Sequence, residues 1–486
     1  MAANLYQELT TPPSRFKGAG KAALRWVRRL LLIYLLYFAV GALGPFLLQP
    51  EGREGYQAAF DPAVFEQTGG SDRAALVLDN QQALELRLQM IGEAKESIIL
   101  ASFDIRGCES SYDIVSALLA ACDRGVKVRI LWDGMSGMLH GSDPAFRALG
   151  RRENVEIRFY NQPNFLLPWT LNGRMHDKYL IVDDKLMVLG GRNTFDLFLG
   201  DYVPDEQKSH DNDVLIYNTA EDLERSVIGQ VEGYFGRIWE QKETRAALEQ
   251  VPFWAEEGTK KAETALYQRS PAQKGLLEPL DYRALTVPVD HVELLHNPTG
   301  ILAKEPTLWW QLQRLMEEAE EGVYIQTPYA VLNKPMYEGL GRIVAAGIPL
   351  EIQLNSVAVG DNVVASSDYL TNKGKVLDTG ATVWEWFGDY SSHGKAAFID
   401  ELALVGSYNW DLRSTYLDTE LMLVIRGEQF RELLEQHLDE MEALSLQATR
   451  DGYVPKAGVE EKSYGPPKSV LYPVTRWLTQ PFRFLI

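Results

Sequence analysis

Cysteine is nearly absent from this sequence: of 486 residues, only Cys108 and Cys122 carry a thiol. Two thiols cannot build a disulfide scaffold or a Cys-rich zinc module, and their spacing leaves open whether they pair. Two small core residues is the simpler reading. Positive charge is scarce too, since 48 Lys and Arg face 67 Asp and Glu, a formal charge of −19. That balance excludes a generic nucleic-acid surface, which needs a basic face, and leaves room only for a local basic cleft. Metal-ligand spacing is missing as well. His140, His210, His291, His296 and His437 share no H-E-x-x-H pattern and have no Cys or carboxylate cluster beside them, so no metal and no cofactor is expected. These five read as ordinary, with His210, next to Asp211, the one that would line a cleft. What the chain does have is core: 46% apolar and 10% aromatic residues exclude disorder, and the length asks for two or three domains.

Charge disappears altogether over residues 30–48, LLLIYLLYFAVGALGPFLL, 19 residues that span about 28 Å as a helix at ~1.5 Å per residue, close to the ~30 Å of bilayer hydrocarbon. Arg15, Lys17, Lys21, Arg25, Arg28 and Arg29 precede it, with no acid between Glu8 and Glu51. The positive-inside bias then keeps residues 1–29 in the cytoplasm and places the body outside. A signal peptide cut near Ala42 is the rival reading, and a buried core helix a weaker one. Without the first 48 residues the formal charge is −24. At the other end, residues 447–486 form a tail whose last stretch, VLYPVTRWLTQPFRFLI, mixes aromatics with Arg476 and Arg483 as a headgroup interface would. Its two prolines argue against a continuous amphipathic helix, which leaves packing on the body equally open.

Between these ends the order of elements occurs twice. An amphipathic stretch at 84–95 leads into SIILASF, a helical stretch, VKVRILWD and VEIRFYN; residues 308–321 lead likewise into VYIQTPY, a helical stretch, IPLEIQLN and ATVWEWF. Strands alternating with helices predict two α/β lobes, residues 71–240 and 289–446, with parallel-rich sheets flanked by helices. Residues 241–288, rich in charge and small residues, read as a connector with some helix. A long repeat occurring twice predicts one body with pseudo-twofold symmetry rather than a solenoid.

After the third strand of each lobe stands the same pattern, HDKYLIVDDKLMVLGGRN (176–193) and HGKAAFIDELALVGSYN (393–409): His-x-Lys, four residues, Asp, then Gly-Gly or Gly-Ser, and Asn two residues on. One His-x-Lys means little; two copies at matching places, 217 residues apart, do not arise by chance. Strand alternation puts His176 with Lys178 on one side, and His393 with Lys395. Asp183 and Asp400 fall between apolar runs, at hairpin turns, and read as structural; Asp177 points away. Further on, Asp213 and Glu420 each enter a strand and are candidates to accept from imidazole Nδ1, leaving Nε2 free. Alone, either reads as a solvated strand-edge acid. Two imidazoles, two ammonium groups and two asparagine amides without a metal cluster suit a phosphodiester: one neutral imidazole attacks phosphorus, while the other serves as general acid and then base. Phe165, Pro168 and Trp169, just before His176, offer an apolar rim, although core aromatics are the commoner case.

These residues resemble the phospholipase D superfamily, with its paired HKD motifs, over about residues 71–445. RMHDKYLIVDDKLMVLGGRN and VGSYNWDLRSTYLDTEL are most similar to the bacterial cardiolipin synthase branch. The resemblance implies two α/β lobes sharing one cleft, His176 and His393 as nucleophile and acid/base with His176 favoured as nucleophile, Lys178, Lys395, Asn193 and Asn409 on phosphate, and Asp213 and Glu420 as histidine orienters. It also implies a membrane-bound phosphatidyltransferase acting on phospholipid, phosphatidylglycerol above all. Hydrolysis to phosphatidic acid is the runner-up; a nuclease, disfavoured by the acidic body, and a non-catalytic lipid-binding protein follow. The sequence departs from the pattern at Gly191, where lobe two has Ser407, at Gly394, where Ala is usual, and in showing one N-terminal membrane helix where many relatives carry two.

Overall fold

SIILAS reads as a continuous apolar run because it is covered on both faces, and it stands in the middle of a nine-stranded sheet. In the computed structural model, which describes residues 14–50, 60–247, 251–269 and 278–486, Ile98 and Leu100 enter one apolar cluster and Ile99 and Ala101 another. The order across this first sheet is Val287–Pro288, Asp72–Val77, Asp213–Asn218, Leu186–Gly190, Lys178–Val182, Ser97–Ser102, Lys127–Asp133, Val155–Tyr160 and Thr244–Ala247. The second sheet runs His291–His296, Leu421–Arg426, Leu402–Gly406, Ala396–Ile399, Val323–Gln326, Leu350–Asn355, Thr382–Trp386, Ser445–Thr449 and Gly452–Val454. Eight strands correspond one to one, so the duplication read from the sequence is a duplication of topology.

Both sheets are mixed. Parallel pairing is confined to three adjacent strands of each, Ser97–Ser102, Lys127–Asp133 and Val155–Tyr160 or Val323–Gln326, Leu350–Asn355 and Thr382–Trp386, and every other ladder in the two sheets is antiparallel, so the parallel share is smaller than the strand–helix alternation suggested. The reason is the chain path after the third strand: a hairpin and a return strand close the sheet antiparallel in both lobes. Helices Asn80–Glu93, Glu109–Asp123 and Pro144–Gly150 cover the outer face in lobe one, and Thr307–Glu317, Lys334–Ala345 and Val363–Leu377 do so in lobe two. Cys108 and Cys122 cap and end the same helix, roughly 20 Å apart at ~1.5 Å rise per residue, and both are free thiols.

The inner faces meet each other. Ile99, Leu131 and Leu189 of lobe one share an apolar cluster with Leu294, Val405 and Leu423 of lobe two. The connector is less independent than its composition suggested, because Thr244–Ala247 and Val287–Pro288 add edge strands to lobe one and helix Glu256–Gln268 packs on its outer helices.

At the N-terminus a helix covers Ser14–Leu43; residues 1–13 of the basic segment lie outside the described residues. Gly20–Phe46 is long and apolar enough to cross a membrane, and little of it is buried in the protein. Phe46, at its end, is fully buried in the lobe-two core. The tail departs from expectation. Pro466–Thr479 is one helix that runs through Pro473, which has no N–H to offer the Ser469 carbonyl. That loss is offset by docking: Tyr472 is buried and donates to Val357 O at 2.7 Å.

Candidate active site

Each histidine sits just ahead of the strand that follows the three parallel ones of its own lobe, Lys178–Val182 or Ala396–Ile399, where the chain is gripped by the opposite lobe. Met175 forms an isolated parallel bridge with Thr419, and His176 N donates to Thr419 Oγ1 at 3.2 Å. In the mirror position Ser391–Ser392 pairs in parallel with Ser209–His210, and His393 N donates to His210 O at 2.6 Å. The two lobes therefore exchange short backbone segments directly at the two imidazoles.

The side chains cross over in the same way. His176 Nδ1 lies 2.9 Å from Glu420 Oε1, across the lobe boundary. His393 Nδ1 lies 2.5 Å from Asp211 Oδ2, again across the boundary. Among the described residues neither Nε2 makes a hydrogen bond. Phe103 meets the ring of His176 edge-on and Phe198 that of His393, each with centroids 5.0 Å apart.

The carboxylate at His393 is a correction to the sequence reading, which had Asp213 in that place. Asp213 instead accepts from Arg87 at 2.7 Å and lies 3.2 Å from Arg192, all three buried. Register explains the difference. Gly190 pairs with Asp213 and Gly406 with Met422, so the counterpart of Glu420, two residues earlier, is Asp211. Both Asp211 and Asp213 precede or enter the strand, and counting back from the repeated glycine separates them.

The surroundings of the two carboxylates differ. Glu420 takes hydroxyl donors from Ser407 and, at 2.6 Å, from Ser414. Asp211 is one methylene shorter and leans over Gly191, where a Cβ would come within 2.4 Å of both its oxygens. Gly191 is thus the space that a short carboxylate occupies, and Ser407 is the donor that a long one receives.

Burial of these groups sets their charge. His176 is pushed well below the ordinary imidazole range by desolvation first and Lys178 second, with Lys395 and His393 adding to the fall. His393 is lowered by burial and by Lys395, while Asp211 pulls it back up. Burial works against Asp211, yet the charges of Lys395 and His393 hold it below the usual carboxylate range. Glu420 goes the other way, pushed up to about 8 by burial despite Lys178 and its hydroxyl donors. Burial brings Lys178 down to about 7 and lowers Lys395 too.

Lys178 donates to its neighbour's carbonyl, His176 O; Lys395 donates to His393 O and lies 2.7 Å from His393 Nδ1. Asn193 Oδ1 and Asn409 Oδ1 are buried without a hydrogen-bond partner among the described residues, and Asn409 Nδ2 reaches Tyr329 Oη at 3.2 Å. Two buried amide oxygens left without a partner, one in each motif, are the groups in this constellation that a ligand would satisfy.

Asp183 and Asp400 stand at the hairpin turns with φ of 53° and 50°. Each accepts three consecutive backbone N–H groups, from Lys95, Glu96 and Ser97 or from Glu320, Glu321 and Gly322, at 2.7–3.0 Å. Asp177 points away from the cleft, to Tyr234 and Thr419. His210 stacks on Tyr390 with centroids 3.8 Å apart, and both line a cavity of about 220 Å³ with His437. Phe165 stacks on Phe38 of the N-terminal helix, whose Tyr34 and Tyr37 donate to Phe165 O and Leu166 O. This loop lines a groove of about 690 Å³ with Trp169 and Arg245.

Comparisons with known proteins agree with this architecture. The family described as "Cardiolipin synthase, PLD-like domain" matches residues 88–239 and 312–442. Cardiolipin synthase C of Escherichia coli K12 is 28% identical over 368 residues, 66% of this chain and 75% of that protein. A cardiolipin synthase of Clostridium perfringens is 24% identical over 368 residues, 74% of this chain and 68% of that one. Among solved structures, phosphatidylserine synthase of Haemophilus influenzae Rd KW20 superposes with a TM-score of 0.60 at 15% identity, covering 85% of this chain and 95% of that one, a likeness of fold. With one copy of the domain in each lobe, the chain belongs to the cardiolipin synthase-type phospholipase D-like family.

Proposed function

We propose that the protein is a membrane-bound phosphatidyltransferase that makes cardiolipin from phosphatidylglycerol through a phosphohistidine. The observation that carries this reading is the crossed pair of imidazoles, each held at Nδ1 by a carboxylate of the other lobe with Nε2 unengaged among the described residues. Membership of the family and the names of the relatives support the substrate class.

The unequal partners support a division of labour. Asp211, held ionised, counteracts the fall that burial and Lys395 impose on His393 and so supports it as the proton carrier of the pair, whereas the neighbourhood of His176 keeps its ring neutral. With Glu420 ionised and accepting from Nδ1–H, His176 Nε2 attacks the phosphorus of one phosphatidylglycerol, forming an N–P bond as the P–O bond to glycerol breaks; His393 gives its proton to the departing glycerol oxygen. His393 then takes the proton from the terminal hydroxyl of a second phosphatidylglycerol, whose oxygen displaces the histidine and yields cardiolipin. Lys178, Lys395, Asn193 and Asn409 hold the non-bridging oxygens as their charge grows. The N-terminal apolar helix supports membrane attachment, and the basic residues before it support a cytoplasmic N-terminus with the body outside.

Incubating the full chain in phosphatidylglycerol vesicles and resolving products by mass spectrometry tests the reading. Cardiolipin with equimolar glycerol is expected; phosphatidic acid without cardiolipin overturns transfer in favour of hydrolysis.

A further inference from the structure

The C-terminal helix Pro466–Thr479 carries two unlike faces. Tyr472 and Lys468 point inward: Tyr472 Oη donates to Val357 O, and Lys468 Nζ to Ala358 O and Gly360 O at 2.8 and 2.7 Å. Val470, Leu471, Val474, Trp477 and Leu478, at i, i+1, i+4, i+7 and i+8, form one stripe on the opposite side. Trp477 is 78% exposed and Val470 68%, unusual for apolar side chains so large and so closely grouped.

The position of this stripe identifies what covers it. Asn333, at the start of the helix Lys334–Ala345, donates to Gln49, six residues past the end of the N-terminal helix. The preceding residue, Leu332, gives its carbonyl to Arg483, which also binds Asp368 at 2.6 Å and anchors the end of the tail. One short segment of lobe two therefore holds both the exit of the membrane-length helix and the far end of the amphipathic one. The exposed apolar side chains continue there through Leu47, Leu48 and Phe482. Charge fits as well: the last 25 residues, from Lys462 on, contain four Lys or Arg and no acid, on a chain that is otherwise strongly acidic.

We propose that the C-terminal helix lies in the headgroup plane of the bilayer from which the N-terminal helix emerges, with its stripe of Val470, Leu471, Val474, Trp477 and Leu478 among the acyl chains of an anionic phospholipid leaflet. The proposal rests on the reading of the N-terminal helix as a membrane span. Its inner face clamps residues 357–360, next to Asp361, which lies 3.2 Å from Ser209 in the strand pair beside His393. One face of the helix is thus turned to lipid while the other holds the loop whose next residue reaches the strand pair beside His393.

The test uses the full chain with Cys108→Ser and Cys122→Ala, reconstituted in vesicles of phosphatidylcholine and phosphatidylglycerol. Single nitroxide labels go on Val474→Cys and Leu478→Cys, with Leu36→Cys in the N-terminal helix and Glu432→Cys on the body as references. Labels at 474 and 478 are expected to collide with oxygen in preference to an aqueous nickel chelate, as the label at 36 does, while the label at 432 behaves oppositely. If 474 and 478 behave like 432 while 36 stays in lipid, the in-plane helix is overturned and the span stands. If 36 is also aqueous, both fall. Spin–spin broadening between labels at 474 that persists in dilute detergent assigns the stripe to a second copy and overturns the proposal. As a second readout, Val474→Glu with Trp477→Glu is expected to lower turnover of vesicle-embedded phosphatidylglycerol about tenfold or more, with turnover of a soluble short-chain phosphatidylglycerol unchanged.

Discussion

His176 and Glu420 are 2.9 Å apart in space and belong to different lobes, and the same exchange joins His393 to Asp211. Each imidazole is therefore oriented by a carboxylate that its own half of the chain does not supply.

Asp211 and Asp213, two residues apart, are expected to fail in different ways. Asp211→Asn leaves His393 without its anionic partner and is expected to lower kcat by about a thousandfold or more, with the folded state retained. Asp213→Asn leaves Arg87 and Arg192 short of a buried counter-charge, which costs about 3–5 kcal/mol of stability, with kcat per folded molecule close to wild type. Activity on phosphatidylglycerol vesicles, normalised to folded protein from denaturant titration, separates them. Equal kcat losses would remove the distinction.

Covalent labelling distinguishes the two histidines. With radiolabelled phosphatidylglycerol and rapid quenching, an acid-labile, base-stable phosphohistidine is expected on the peptide containing His176. His176→Ala abolishes it. His393→Ala still forms it, slowly, and accumulates it because the second proton transfer is lost. Label on His393 would reverse the assigned roles.

The pH dependence of stability carries the sign of the Glu420 shift. Its carboxyl is raised from the ordinary range to about 8 by burial, so between roughly pH 5 and 8 the folded protein holds a proton that the unfolded chain has released. This contribution stabilises at low pH and is lost as pH rises through that window. Glu420→Gln lacks it. Relative to wild type, the variant should therefore gain stability steadily from pH 5 to 8 in paired urea titrations, and a flat difference would contradict the raised pKa.

The aspartates inside the two repeated motifs are expected to matter for stability alone. Asp183→Ala and Asp400→Ala each release three backbone N–H groups and place a β-carbon-bearing residue less tolerant of positive φ at the turn, at a cost of about 2–4 kcal/mol. Asn at either position should recover part of it, since it adopts the left-handed conformation readily. Melting curves of the four variants, with activity measured well below the transition, check both statements.

Much of this was legible in the residues because the repeat supplied a second reading of each feature. The strands around Ile99 and Ile325 announced themselves as unbroken apolar runs, since both faces are covered. Asp211 was missed because Asp213 also carries a carboxylate at the mouth of a strand, and only the ladder opposite Gly190 fixes the register. The crossing of the orienting carboxylates could not be read from spacing, for it depends on how two lobes face one another across their shared apolar layer. Pro473 misled in the tail because local propensity disfavours a helix that tertiary docking through Tyr472 and Lys468 sustains.

The exchanged carboxylates bear on how such a chain can change over time. A duplicated half that drifts ordinarily loses its redundant function first. Here neither half is redundant, because each would strip the other's imidazole of its tautomer-fixing partner, and the two copies are bound to persist or decay together.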